Sequence, residues 1–487
     1  MGIQRWRILA VTAGVLMTLT IACTDDDAPS GASSPSSQTQ LDESEQQIEA
    51  LRAQLASVRR SVIVQAGQTQ PVAPDEVLDE WDTEASVKAG VTLMSTYDSS
   101  GPAAWSPAES PVVFVTSEGS GYAGFTSETY AAAGLQIIDA MTKEVVAAAG
   151  FDLGYESMGT PHGLGVSPDG RWIYVPTSDG SQPWQLKAGG GRLLVVDAMT
   201  LRLHQVLAMP KGPHHVRAFV DYAGNPRIIV ETQGGHVLLL DPTDDNRVVM
   251  AIGPEDVNAA PYQAAADPTG RFLYLDLTLG SRAVASELLG AIGKVDLESG
   301  RITYITDVGM YPNGFTFSPD GAFTFVADSE GGRVFKIDNS TDTVVAHSNA
   351  AVPGPYNLAL SRDGTELWTV GKGEMTFNLG GTLGLVDVKT FRAINQFDIG
   401  GQTIDHIILN PVNPDEMWVS SSGTAETIVW NATERRVSTR IPTANGGDTH
   451  AGAFVRYEPD FSGELLADVS GGLGSFLDEL RIGAANQ

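Results

Sequence analysis

The sequence predicts an all-β fold, a β-propeller of eight blades in preference to seven, and three observations predict it. The first is a unit of four short strands over residues 161–200 and their continuation to Leu207. An alternating run (Leu164, Val166) stops at Ser167-Pro168-Asp169-Gly170, where proline at the second and glycine at the fourth position suit a type I turn. Trp172 to Val175 follows, aromatic and β-branched as strands prefer, then Leu193 to Val196 closed by Asp197, then Leu203 to Leu207. Four strands in about 45 residues is the size of a propeller blade. The second observation is recurrence of the hairpin: phrases beginning near Ala103, Leu164, Ala218, Ala264, Phe315, Leu358, Ile407 and Ala453 lie 43 to 61 residues apart. The third is recurrence of the phrase that ends each third strand, as in QIIDAMTKE, LVVDAMTLR and FKIDNSTDT.

In chain order, residues 1–22 read as an export signal. Arg5 and Arg7 precede an uncharged apolar run, Ile8 to Ala22, which falls short of the roughly 20 residues a membrane span needs. Cys23 is the only cysteine, and its place after Thr20-Ile21-Ala22 resembles the bacterial lipobox, with Thr20 departing from the usual leucine. An exported chain gains nothing from one unpaired thiol, so Cys23 is the expected lipidation site and the membrane the expected anchor. Residues 23–40 lack large apolar side chains and predict a flexible tether. Over residues 41–64, Leu41, Ile48, Leu51, Leu55, Val58 and Val62 keep a heptad seam. This predicts a short amphipathic helix, either a spacer or a coiled coil that associates weakly. Residues 65–85 read as a second linker, 86–474 as the propeller, and 475–487 as a tail with a short helix on the outside.

The eighth hairpin offers only two clear strands, so ring closure needs a donor, and Val91 to Tyr97 is the expected one. The formal charge is −29, and −31 once Arg5 and Arg7 are lost with the signal. Such a surface disfavours nucleic acid and anionic lipid. No nucleophile elbow, Walker loop, dinucleotide fingerprint or HExxH occurs, and the Asp241 to Asn246 run reads as a solvated turn.

Aligning the repeats locates a candidate site. The position of His162 is matched by Gly101, His214, Tyr262, Asn313, Tyr356, Asp405 and His450, and the next position adds His215, Gln263, Asn357 and His406. Five of the eight histidines thus fall at one level of the central channel, while His204, His236 and His347 fall on outer strands. Imidazole is the commonest transition-metal ligand, so His162, His214, His215, His406 and His450 are candidate ligands of a metal such as copper or zinc, or of a tetrapyrrole. Asp405 and Asp448 are placed to ligate or to orient an imidazole, and Tyr262, Asn313 and Tyr356 to contact a cofactor's rim. The long inserts (residues 117–134, 176–191, 276–291 and 371–382) fall on the same side, opposite the SPDG turns, which makes that side the expected binding face.

The SPDG, YV and ID phrases over residues 101–470 resemble YVTN-type propellers, a superfamily that includes the haem-binding domain of cytochrome-type nitrite reductase. Pro161-His162-Gly163 with His214, His406 and His450 is also similar to the copper-cluster propeller of nitrous oxide reductase. Gly101-Pro102 stands where a histidine pair would be implied, and no CxxCH or second copper domain's cysteine is present, so the chain is neither enzyme. Two functions follow as expectations. One is an extracytoplasmic, membrane-anchored lipoprotein holding a metal or redox cofactor. The other is a non-catalytic envelope propeller binding a protein or glycan through its long loops.

Overall fold

In the computed structural model the described residues are 63–65, 81–117, 133–151, 158–159, 162–179, 191–232, 235–279, 289–373, 380–444 and 449–485. The signal, Cys23, the tether, most of the expected helix and linker, most of the long inserts, and Asp448 lie outside them.

Among the described residues seven sheets, not eight, make the ring. Blades 3 to 7 are each four consecutive antiparallel strands, from Pro213–Val220 in blade 3 to Arg436–Pro442 in blade 7. Blade 2 runs from Gly165–Val166 through Trp172–Asp179 and Gly191–Asp197 to Leu203–Met209. Blade 1 is split between the two ends of the chain: Ala453–Tyr457 takes the place of its first strand, followed outward by Val112–Thr116, Ala133–Asp139 and Val145–Phe151. The eight repeats therefore counted blade 1 twice. The Ala103 phrase supplies no inner strand; its Trp105 is buried, donates to Ala198 O at 2.7 Å and packs edge-on to Tyr457 and Phe461. The second strand of the last hairpin, Gly463–Asp468, pairs with the inner side of Ala453–Tyr457.

The expected donor also goes elsewhere. Thr92–Thr96 pairs antiparallel with Leu203–Met209 as a fifth, outer strand of blade 2. Just before it, helix α1 (Glu84–Ala89) is capped by Thr83, and Trp81, within the segment read as linker, is 1% exposed and bonded to Asp245 O. Ile63–Gln65, which overlaps the end of the expected helix, is a strand parallel to Val145–Phe151.

Local chemistry explains the repeat. In the turns at Gly170, Gly321 and Gly364 the glycine sits at φ of +73°, +72° and +69° and donates to the serine carbonyl three residues back at 2.8 Å. At the end of third strands, Asp197 and Asp387 accept from the backbone and hydroxyl of the threonine three residues on, tying the turn to the fourth strand. Helix α2 (Pro254–Val257) follows blade 3, and helix α3 (Gly474–Ala485) ends the described chain with Phe476 and Leu480 buried.

Candidate metal centre

Each blade presents the start of its innermost strand to one end of the axis, so one residue per blade forms a ring there. The ring reads His162, His214, Tyr262, Asn313, Tyr356, Asp405 and His450 from blade 2 round to blade 1, with no place for Gly101. A break in strand register recurs at this level, between Pro213 and Val216, Pro261 and Ala264, Pro355 and Leu358, and Ile404 and Ile407. Such bulges re-aim side chains. They bring the consecutive residues His214 and His215 into one cluster, and with them His406.

The five rings pack against one another. His162 lies 4.1 Å from His214 and 4.5 Å from His450 between ring centroids, and His215 lies 4.9 Å from His406, which is 5.1 Å from His450. Gly163 makes room: a Cβ there would sit 2.8 Å from the His215 ring and 2.9 Å from Ala451 Cβ. All five are buried, at 0–3% exposure, so they form an enclosed cluster. Tyr262 is half-buried; its hydroxyl stands 3.3 Å from His214 Nε2 and 3.2 Å from the Tyr356 hydroxyl. Asn313 is drawn away from the imidazoles into a bond from Gln263 Nε2.

Three charged residues that repeat alignment missed complete the surroundings. Glu231, 0% exposed, stands 3.0 Å from His215 Nδ1, whose other short contact is His214 Nδ1 at 2.7 Å. Lys372 is buried, pairs with Asp405 at 3.1 Å and lies 4.1 Å over the Tyr356 ring. Asp405 in turn accepts from Ser422 Oγ and stands 3.3 Å from His450 Nδ1. Arg217 donates to Gln263 at 2.8 Å and lies 3.5 Å from Glu231. Period-2 alternation from His215 to Arg217 was the available signal for the last; Glu231 and Lys372 stand out as charges in or just beyond apolar second strands.

Burial, reinforced by the neighbouring imidazoles, holds His214, His215 and His406 well below the ordinary imidazole range. The same desolvation pushes Glu231 up to about 7 and raises Asp276 and Asp468. Neutral imidazole is the metal-binding form. Two groups have ligand atoms within 4.8 Å of one another: His215, His406 and His450; and His214, His215 and Glu231. Among the described residues, both ring nitrogens of His406 and Nε2 of His215 are buried with no hydrogen-bond partner.

Fold and site together define a class: a seven-bladed propeller with a buried histidine cluster at one end of its axis. A family model described as SMP-30/Gluconolactonase/LRE-like region matches residues 186–365, less than half of the chain, from blade 2 into blade 6. Among solved structures, the periplasmic gluconolactonase PpgL of Pseudomonas aeruginosa is similar at a TM-score of 0.50 and 17% identity, over 70% of this chain and 99% of that one. The dihydro-heme d1 dehydrogenase NirN in complex with DHE gives 0.46 and 15%, over 76% of each chain. Hydrazine synthase of Kuenenia stuttgartiensis gives 0.44 and 14%, over 65% of this chain and 98% of that one. No curated protein matches the sequence. At this identity the likeness to the gluconolactonase structure is one of fold alone.

Proposed function

We propose that this propeller binds a transition-metal ion, copper or zinc, through His215, His406 and His450, with His162 and His214 alongside. The observation that carries the reading is the burial of three imidazoles with converging ligand atoms, one of them with neither nitrogen bonded. A buried polar group without a partner costs roughly 1–3 kcal/mol, and an ion at the cluster removes that cost. Glu231 beside His215 Nδ1 and Asp405 beside His450 Nδ1 reproduce the carboxylate–histidine pairing that orients metal ligands. The imidazoles fill the space in which a tetrapyrrole would have to lie, which favours an ion over a macrocycle.

Metal analysis of the purified mature protein, followed by titration with Zn²⁺ and Cu²⁺, tests the reading. About one ion per chain is expected, lost in His406→Ala and His450→Ala, with apo thermal unfolding of the variants close to wild type. A wild-type protein that takes up no more metal than the variants overturns it and leaves partner binding through the loops.

The same proposal places the propeller outside the cytoplasm, tethered through a lipid on Cys23. No helix among the described residues is long and apolar enough to cross a membrane, so the support is the signal-like run before Cys23. Cys23→Ser is expected to abolish lipid labelling and to release the protein from membranes; wild-type retention of the variant sinks the idea.

A further inference from the structure

The other end of the axis holds a cavity. There Gly463–Asp468 and Gly471–Gly472 pair inside blade 1, and α3 leaves across the turns. Arg481 on α3 donates to Pro268 O and Pro319 O, both at 2.9 Å, which fastens the helix over blades 4 and 5. Between this C-terminal segment and blades 2 to 5 lies a space of about 400 Å³, within the 300–1,000 Å³ usual for small-molecule sites. Its wall is mainly apolar, with Ala218, Phe219, Ile229, Phe317, Leu473 and Leu477.

The charges around it are unequally engaged. Glu464 is spent on the start of α3, accepting from Ser475 N at 2.6 Å and Ser475 Oγ at 3.0 Å. Asp267 is spent in its own turn, on Thr269 Oγ1 at 2.7 Å and Phe272 N at 2.9 Å. Arg217 is different. It is 1% exposed, its Nη1 reaches Ser470 Oγ only at 3.5 Å, and its Nε meets no hydrogen-bond acceptor. Its Nη2 donates to Gln263 at 2.8 Å, and Glu231 stands 3.5 Å from Nε, too far for a hydrogen bond, which leaves Nη1 the least engaged. A guanidinium with donors to spare, bordering an apolar chamber, matches a carboxylate that brings its own hydrocarbon.

We propose that this cavity binds a medium-chain alkyl carboxylate, its head on Arg217 and its chain between Phe219, Phe317 and the underside of α3. The chamber lies at the opposite end of the axis from the histidine cluster, with Arg217 between the two, and the proposal does not rest on metal binding.

Calorimetry on the full mature protein with decanoate and with decanol tests this. Decanoate is expected to bind about tenfold or more tightly than decanol, the value of a charge-assisted hydrogen bond. Arg217→Gln should bring decanoate to the level of decanol. Leu477→Trp, which fills the chamber from the helix side, should abolish both and leave metal content unchanged. Should Arg217→Gln fail to fold, the decanol comparison still reads the charge and Leu477→Trp still reads the place. Absence of decanoate binding, equal affinity for decanol, or wild-type binding by Leu477→Trp overturns the proposal.

Discussion

Glu231 sets the behaviour of the histidine cluster at the scale of one residue. Its carboxyl is pushed up to about 7, first by burial, while His215 beside it is held well below the imidazole norm. On acidification Glu231 therefore takes a proton first, and the imidazoles stay neutral further down. Protonation removes the charge that holds the Nδ1 proton of His215, an outer contact whose loss costs 10- to 100-fold in metal affinity. The expected Zn²⁺ affinity of wild type thus falls by one modest step near pH 7, and steeply only well below pH 6.5, where protons reach the depressed imidazoles. Glu231→Gln should be weaker at pH 8 and lack the first step. A variant that still shows the step near pH 7 would assign it to another group.

At the scale of the element, the propeller was legible because the same turn chemistry is repeated. Asp169, Asp320 and Asp363 each accept from a serine hydroxyl two residues back, and that contact needs only a four-residue phrase. The histidine level was legible for the same reason, since alignment of the phrases places it at the start of the inner strands. What alignment could not see was the bulge. Strict alternation would put His214 and His215 on opposite faces, and only the register break between Pro213 and Val216 gathers them. Glu231 and Lys372 come from the end of second strands, where the sequence offers no repeat to align. Trp81 was misread for a related reason: it precedes the first repeat, and its burial depends on Asp245, 164 residues away.

At the scale of the whole molecule, the miscount of blades turns on how the ends meet. With Ala453–Tyr457 in the first-strand place of blade 1, its pairing with Val112–Thr116 joins the ring's two ends. Thr92–Thr96 only thickens blade 2. Removing residues up to Tyr97 is therefore expected to weaken the fold, through lost burial of Trp81 and Leu93, and to leave a closed monomer. Removing α3 alone should cost the burial of Phe476 and Leu480, about 3–6 kcal/mol for two large apolar side chains, and still leave the ring intact. A chain ending at residue 452 is different. It leaves one edge of Val112–Thr116, a strand whose five residues are all buried in the intact ring, without a partner, and should aggregate or unfold without cooperativity. A peptide of residues 449–473 supplied during refolding should restore a monomer by filling the empty strand position. Sedimentation and thermal melts of the three truncated proteins decide it. A cooperative, monomeric product from the chain ending at 452, without the peptide, would mean that the ring closes through some other strand.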